Sequence, residues 1–196
     1  DEAALDRLLA YLGLLQRWNR VYNLTAVQDA DAMLTQHLVD CLAALPPLRR
    51  WAGGRALQVL DVGSGGGLPG VVLAIVQPDW RIDCVDTVAK KATFIRQVAA
   101  ELRLPNLRSL HARVETLSAP PRYDLITSRA FASLADFVAL TEPLLDPDGA
   151  WAAMKGQPTP DELAAVPAHV DMFHVEPLQV PGLAARRCIV WMRPRR

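Results

Sequence analysis

Leu57-Gln58-Val59-Leu60-Asp61-Val62 runs directly into Gly63-Ser64-Gly65-Gly66-Gly67-Leu68-Pro69-Gly70, which places four glycines within five residues. Val59, Leu60 and Val62 suit a strand buried on both faces. The glycines that follow permit positive φ and let a ligand lie against bare backbone. Pro69 suits the opening turn of a helix over 69–77, where a missing N–H costs nothing. A strand, a glycine turn and a helix N-terminus in this order predict a nucleotide-binding corner. A tight turn without a ligand would need fewer glycines.

Gly65, Gly67 and Gly70 satisfy the G-x-G-x-x-G dinucleotide pattern, which on its own is weak evidence. Two neighbours argue against a dinucleotide. Asp61, at the strand end, would set a negative charge beside a pyrophosphate, and Pro69 removes one of the helix-terminal N–H groups that hold phosphates. A cofactor with a cationic end and no phosphate meets neither objection. S-adenosylmethionine is such a molecule, with an amino group and a sulfonium that favour a nearby carboxylate.

The 196 residues suffice for one domain with a substantial core, and 51% hydrophobic with 21% charged residues is globular composition. No apolar run approaches the roughly 18 residues of a membrane span. Asp1-Glu2-Ala3 carries neither a signal-peptide pattern nor an initiator Met, so residues are expected upstream. Cys41, Cys84 and Cys188 form no C-x-x-C pair and no zinc pattern with the four histidines. A reduced, metal-free, cytoplasmic protein is therefore expected, and, separately, a monomer. A net charge of zero argues against a protein that coats nucleic acid non-specifically. Five arginines nevertheless crowd the end of the chain without an intervening acid: Arg186, Arg187, Arg193, Arg195 and Arg196. They read equally well as a solvated tail or as a phosphate-contacting patch.

Hydrophobic spacing predicts an amphipathic helix over 2–19, with Leu5, Leu8, Leu9, Leu12, Leu15 and Trp18 along it. A second helix is predicted over 29–45, with Leu34, Leu38, Cys41, Leu42 and Leu45 on one face and Pro46-Pro47 as its end. These helices, residues 1–50, form an expected cap within the same domain as the cofactor-binding part, residues 51–196. His37 and Asp40 lie three apart on the second helix and so side by side, which suggests a structural hydrogen bond rather than catalysis. From residue 57 the chain alternates strand and helix, which implies a mostly parallel sheet covered on both faces. Strands are predicted over 57–62, 81–85, 107–112, 123–128 and 150–155. Helices are predicted over 69–77, 88–102, 114–117 and 134–145, and a closing strand pair over 172–179 and 186–192.

Ligands of open α/β sheets sit at the carboxyl ends of the strands. Asp61 and the glycines end the first strand. Asp86 ends the second and fits a ribose, with a helix N-cap as the alternative role. Val114 and Glu115 follow the third and fit an adenine edge, the alternative being an acid favoured by a helix start. Arg129 ends the fourth strand and Lys155-Gly156 the fifth, which brings two cations to the cleft. Segments that activate exocyclic amines, and Pro-Cys nucleophiles for pyrimidine rings, are missing from the sequence. A methyl transfer to an atom with its own lone pair, such as guanine N7, needs neither; it needs alignment.

The matching segments Asn23-Leu24-Thr25, His37-Leu38-Val39-Asp40-Cys41-Leu42, Asp61 to Gly70, Lys90-Lys91 with Phe94-Ile95, Arg113-Val114-Glu115, Ser128 to Ser133 and Lys155-Gly156-Gln157 resemble the bacterial 16S rRNA (guanine-N7) methyltransferase family, RsmG or GidB. The likeness runs over about residues 12–191. It implies a Rossmann-like class I methyltransferase fold with a seven-stranded sheet. It also implies S-adenosyl-L-methionine as cofactor, and one guanine of the decoding-region loop in 16S rRNA or the small ribosomal subunit as substrate. Carried over by position, the cofactor falls on Gly63, Leu68, Val114, Glu115 and Arg129, to which the reading of the strand ends and glycine turn adds Asp61, Gly65, Gly67 and Asp86. Arg129 is expected to position the reactants without a general base. Lys155, Arg186 and Arg187 are the expected RNA contacts. Cys41 stands where the family pattern suggests Ser. A nicotinamide-dependent oxidoreductase, a small-molecule methyltransferase and a non-catalytic RNA-binding module are the competing readings.

Overall fold

The computed structural model describes residues 2–119 and 122–195. Its centre is a seven-stranded sheet in the order β3-β2-β1-β4-β5-β7-β6. Strands β1 (Gln58–Val62), β2 (Arg81–Asp86), β3 (Leu107–His111), β4 (Tyr123–Arg129) and β5 (Leu145–Lys155) are parallel. Strand β7 (Arg187–Pro194) runs antiparallel to β5, and β6 (Val170–Leu178) closes the edge antiparallel to β7. Alternate residues feed opposite faces. Val59, Leu125, Ala152 and Ile189 join one apolar cluster with α5 (Gly70–Val76), α6 (Ala89–Glu101) and α1 (Glu2–Tyr22). Leu60, Ile126, Trp151 and Val190 join the other, against α7 (Leu134–Thr141). The central strands are apolar in both registers because both faces are covered.

The N-terminal helices depart from the sequence reading in three places. Along α1 the buried stripe is Leu8, Tyr11, Leu12, Leu14 and Leu15, whereas Leu5 and Leu9 are 53% and 51% exposed. The second helix is not continuous. A short α2 (Ala30–Met33) passes into a π-helical segment, Leu34–Val39, and then α3 (Asp40–Ala43). The wider turn re-phases the face, so Leu34 is exposed while Leu38 and Cys41 are buried. Pro46 and Pro47 do not stop the helix. They open a further one, α4 (Leu45–Ala52), in whose first turn proline is tolerated. Helix α4 thus runs across the boundary expected at residue 50. Later in the chain, the helix expected over 134–145 ends at Thr141, and Leu145 already belongs to β5. Helix α8 (Pro160–Ala164) joins β5 to β6.

The cap and the sheet share one core, since Leu8, Leu15, Leu38 and Leu48 lie in the same cluster as Val59 and Val72. Tyr11 adds a polar tie, donating its hydroxyl to the Gly66 carbonyl at 2.6 Å across 55 residues. Packing is tightest where α5 leaves the glycine turn. A Cβ on Gly70 would lie 2.3 Å from Cys84 Sγ and 2.8 Å from Asp61 Oδ2. Gly70→Ala is therefore expected to destabilise the fold by about 1–3 kcal/mol, the usual cost of overpacking. Urea unfolding of the two proteins measures this, and an unchanged midpoint would contradict the packing.

Candidate active site

The turn from β1 into α5 uses almost all of its own amide hydrogens. Gly63 and Ser64 donate to the Val85 carbonyl at 2.9 and 3.2 Å, and Gly67 and Leu68 to the Ser64 carbonyl at 2.8 and 3.0 Å. Gly65 donates to Asp86 Oδ2 and Gly70 to Asp61 Oδ2, both at 2.9 Å. Gly63, Gly65 and Gly67 sit at φ of 66°, 57° and 91°, which glycine adopts without the strain of a Cβ. A Cβ on Gly63 would also approach Phe131 Cδ2 to 2.7 Å. Pyrophosphate sites present several free amides. This loop has already committed its amides, which counts against a dinucleotide on geometric grounds.

Around the loop lies one cleft with two lobes that share Gly63, Lys91 and Ala130. The smaller, about 370 Å³, is lined by Asp86, Val88, Val114, Glu115 and Phe131. Asp86 ends β2 with Oδ1 accepting the Val88 amide at 2.8 Å and Oδ2 accepting that of Gly65. It therefore shapes the turn into α6 as well as lining the lobe. Helix α6 has no side-chain cap, so Thr87 does not take that place. Val114 is buried and Glu115 exposed in a 3-10 turn after β3. Glu115 pairs with Arg113, and its carboxyl is held below the usual range by a backbone amide and by that guanidinium.

The larger lobe, about 470 Å³, contains Gly65, Leu68, Asp40, Lys91, Arg129, Lys155 and Arg187. Here the sequence reading of His37 and Asp40 is corrected. The π-helical segment brings both to Arg129, the partner that local sequence did not reveal. Arg129 Nη1 donates to the Gln36 carbonyl at 2.8 Å and to Asp40 Oδ2 at 3.1 Å, and Nη2 donates to His37 Nδ1 at 3.2 Å. Arginine only donates, so Nδ1 is the acceptor and the ring hydrogen sits on Nε2, 2.7 Å from Thr25 Oγ1. Burial, and then Arg129, lower the His37 pKa, in keeping with a neutral ring. Asp40 is 1% exposed, and its other oxygen receives Arg187 Nε at 3.0 Å. Much of the Arg129 guanidinium thus faces the cap; one Nη2 hydrogen and Nε–H have no acceptor among the described residues.

The arginine-rich end is neither a tail nor one patch. It is strand β7, and antiparallel pairing (Lys155 opposite Cys188, Trp151 opposite Met192) puts its start at the carboxyl ends of the parallel strands and its end at their amino ends. Arg187 reaches the cleft, and Arg186 is exposed beside it, near Gly156. Arg193 lies at the far end, paired with Asp171 at 2.9 Å and stacked 4.8 Å over Phe173, with Arg195 nearby. Arg196 is outside the described residues. Lys155 lines the cleft but is engaged by Glu162 and the Ala132 carbonyl, both at 2.8 Å. Among the described residues no group of three His, Cys, Asp or Glu side chains is placed to hold a metal ion.

Comparison with known proteins places the chain closely. The model of a family described as rRNA small subunit methyltransferase G (GidB) matches residues 4–190. A ribosomal RNA small subunit methyltransferase G of Leptothrix cholodnii is 66% identical over 195 residues, covering 100% of this chain and 89% of that protein. One from Methylibium petroleiphilum is 61% identical, covering 95% and 84%. Among solved structures, TrmN from Thermus thermophilus superposes with a TM-score of 0.62 at 21% identity, over 82% of this chain and 53% of that one. The N-methyltransferase NodS from Bradyrhizobium japonicum, in complex with S-adenosyl-L-homocysteine, gives 0.62 at 13% identity over 92% and 98%. These structural likenesses establish the Rossmann-like class I methyltransferase fold.

Asp61 lies beneath this cleft rather than in its lining. It is fully buried; Oδ1 has no partner among the described residues, and Oδ2 is 4.0 Å from Cys84 Sγ. Burial raises its pKa to about 7, against the pull of the Gly70 amide, Ser64 and Arg129. A folded-state value above the unfolded one gives stability that is full below 3.8 and lost as pH rises through about 7. Asp61→Asn removes this titration. The stability of the cofactor-free protein relative to that variant is expected to fall over this interval and level off above it. Urea midpoints across pH report the difference; a flat difference would mean that folding leaves the Asp61 pKa unshifted.

Proposed function

The chain belongs to the rRNA small subunit methyltransferase G family, and on that premise we propose that it transfers a methyl group from S-adenosyl-L-methionine to N7 of one guanine in 16S rRNA of the small ribosomal subunit. The observation that carries the reading is the two-lobed cleft around a glycine loop whose amides are already committed. Such a cleft suits an adenosine joined to an amino acid better than a pyrophosphate. The bound cofactor supplies an electrophilic methyl on a sulfonium. Asp86, Val114 and Glu115 hold the adenosine. Gly63 stands between the lobes, Gly65 and Leu68 line the larger one, Gly67 is buried behind the turn, and Asp61 orders the turn from below through Gly70.

Guanine N7 has a lone pair and no proton to lose, so the protein's work is alignment and exclusion of water. The cleft fits this. Each carboxylate lining it already has a partner: Asp40 its two arginines, Asp86 two backbone amides, Glu115 Arg113. Arg129 positions the reactants, while Lys155, Arg186 and Arg187 meet the RNA at the mouth. The helices at the N-terminus form the cap of a single monomeric unit. An enzyme of ribosomal RNA works in the cytoplasm, and no helix of the described residues is long and apolar enough to cross a membrane.

Methyl transfer from labelled cofactor to small-subunit RNA tests the reading directly. Borohydride reduction and aniline cleavage of the product are expected to break the chain at a single guanine. Label elsewhere than N7, or only on small molecules, would refute it. Asp86→Ala is expected to weaken S-adenosylhomocysteine binding by about tenfold or more, since hydrogen bonds to a charged group contribute roughly 1.5–3 kcal/mol each. Calorimetry on the folded variant measures this, and wild-type affinity would reduce Asp86 to a tie for the loop.

Arg186 is exposed at the mouth and makes no ion pair among the described residues. Arg186→Gln is expected to lower the slope of log K against log salt for RNA binding by about one, with cofactor affinity unchanged. Arg193→Gln, at the far end and already paired, is expected to leave the slope alone. The reverse pattern would move the RNA to the other end of β7.

A further inference from the structure

Asp40 is the most enclosed charged group lining the cleft, and it is shared. Its two oxygens each receive a different arginine, Arg129 from the end of β4 and Arg187 from the start of β7. Two guanidinia around one carboxylate leave a formal charge of +1, and His37 beside them is neutral. Each arginine keeps part of its donor set. Arg129 makes three bonds, to Gln36, Asp40 and His37, and Arg187 makes two, to Asp40 and the Arg186 carbonyl at 3.0 Å. A guanidinium carries five N–H donors, so about five of the ten remain on two side chains that line the same lobe.

The arginines come from strands separated by β5 in the sheet. Without Asp40 between them they would repel one another across the mouth. Exposed ion pairs fix little, but this carboxylate is buried and takes each guanidinium at hydrogen-bond distance. Arg187 and Arg129 are 26% and 21% exposed in their side chains, so their outer edges are open to a ligand.

We infer that Asp40 is a positioning residue for methyl transfer: it sets the Arg129 and Arg187 guanidinia in fixed relation, so that their remaining donors grip one oxyanion of the RNA substrate, a phosphate next to the target guanine. The inference rests on the functional reading above and names the part of the substrate that this lobe takes. Asp40 touches neither reactant. It acts through the arginines, so with cofactor saturating a change there is felt in the rate.

The test is single-turnover methylation of small-subunit RNA at saturating cofactor, with Asp40→Asn, Arg187→Gln and the double variant. Wild-type turnover on this RNA, measured first, tests the functional reading by itself; the variants are judged only as ratios to it. Asp40→Asn is expected to lower the rate by at least about tenfold, on the scale at which misplaced groups act. S-adenosylhomocysteine affinity of Arg187→Gln, which removes no expected cofactor contact, should stay within about threefold of wild type, a change smaller than one hydrogen bond contributes. The double variant should be no slower than the worse single one, because residues acting as a unit are not additive. Should Asp40→Asn fail to fold, Asp40→Glu keeps the charge but displaces both guanidinia, and should lose rate in a folded protein. A wild-type rate in either folded variant, or additive losses in the double variant, would overturn the inference.

Discussion

Turning the chain from β1 into α5 creates a run of backbone N–H groups that must all find acceptors, because the loop is buried on one side. The loop meets part of this need with its own Ser64 carbonyl and the Val85 carbonyl of the neighbouring strand. Two carboxylates meet most of the rest: Asp61 takes Gly70 and Asp86 takes Gly65. The acids at the ends of β1 and β2 are therefore part of the turn before they are part of a ligand site. Once those amides are occupied, the loop presents a nearly neutral backbone wall. That suits a sulfonium cofactor and not a pair of phosphates, which separates this glycine turn from the dinucleotide pattern it also satisfies.

The same turn couples the cap to the sheet. Tyr11 reaches the Gly66 carbonyl from α1, and Leu15 packs close beside Gly66, where a Cβ would stand 3.0 Å from Cδ1. Asn19 then fixes the following loop, donating to the Val27 carbonyl at 3.0 Å and accepting the Thr25 amide at 2.8 Å. Thr25 holds His37, and His37 holds Arg129 at the end of β4. The glycine turn and the cleft are thus braced by contacts from α1, the loop after it and the π-helical segment.

What the sequence made legible was local. The strand-glycine-helix corner, the alternation that follows it and the carboxylates at strand ends are all patterns within a few residues, and the structure contains them. The arrangement at the mouth depends on pairs that no local pattern encodes: Arg129 meets Asp40 across 89 residues and Arg187 meets Asp40 across 147. His37 and Asp40 were a visible pair on a helical segment whose shared partner lay at the end of β4. Leu34 misled because helical spacing assumes a constant turn, and the π-helical segment breaks it. Pro46-Pro47 misled because proline stops one helix and opens another with equal ease. The arginine-rich end misled most. Composition gives a charge total, whereas strand direction decides where each charge stands.

Strand direction also explains why this mouth can take an anion in a protein of zero net charge. Parallel β1, β4 and β5 bring the glycine loop, Arg129 and Lys155 to one edge, and only a strand of the opposite sense could start there with Arg187. Asp40, supplied by the cap, then prevents the arginines from repelling one another. Lys155 is held separately by Glu162. Each cation at the mouth that is half-buried and paired is thus held by an acid from a different element, while Arg186 stays exposed. Such a rim is rigid where its arginines share Asp40 and open at Arg186. A cluster of unpaired lysines would bind RNA without giving it a single orientation.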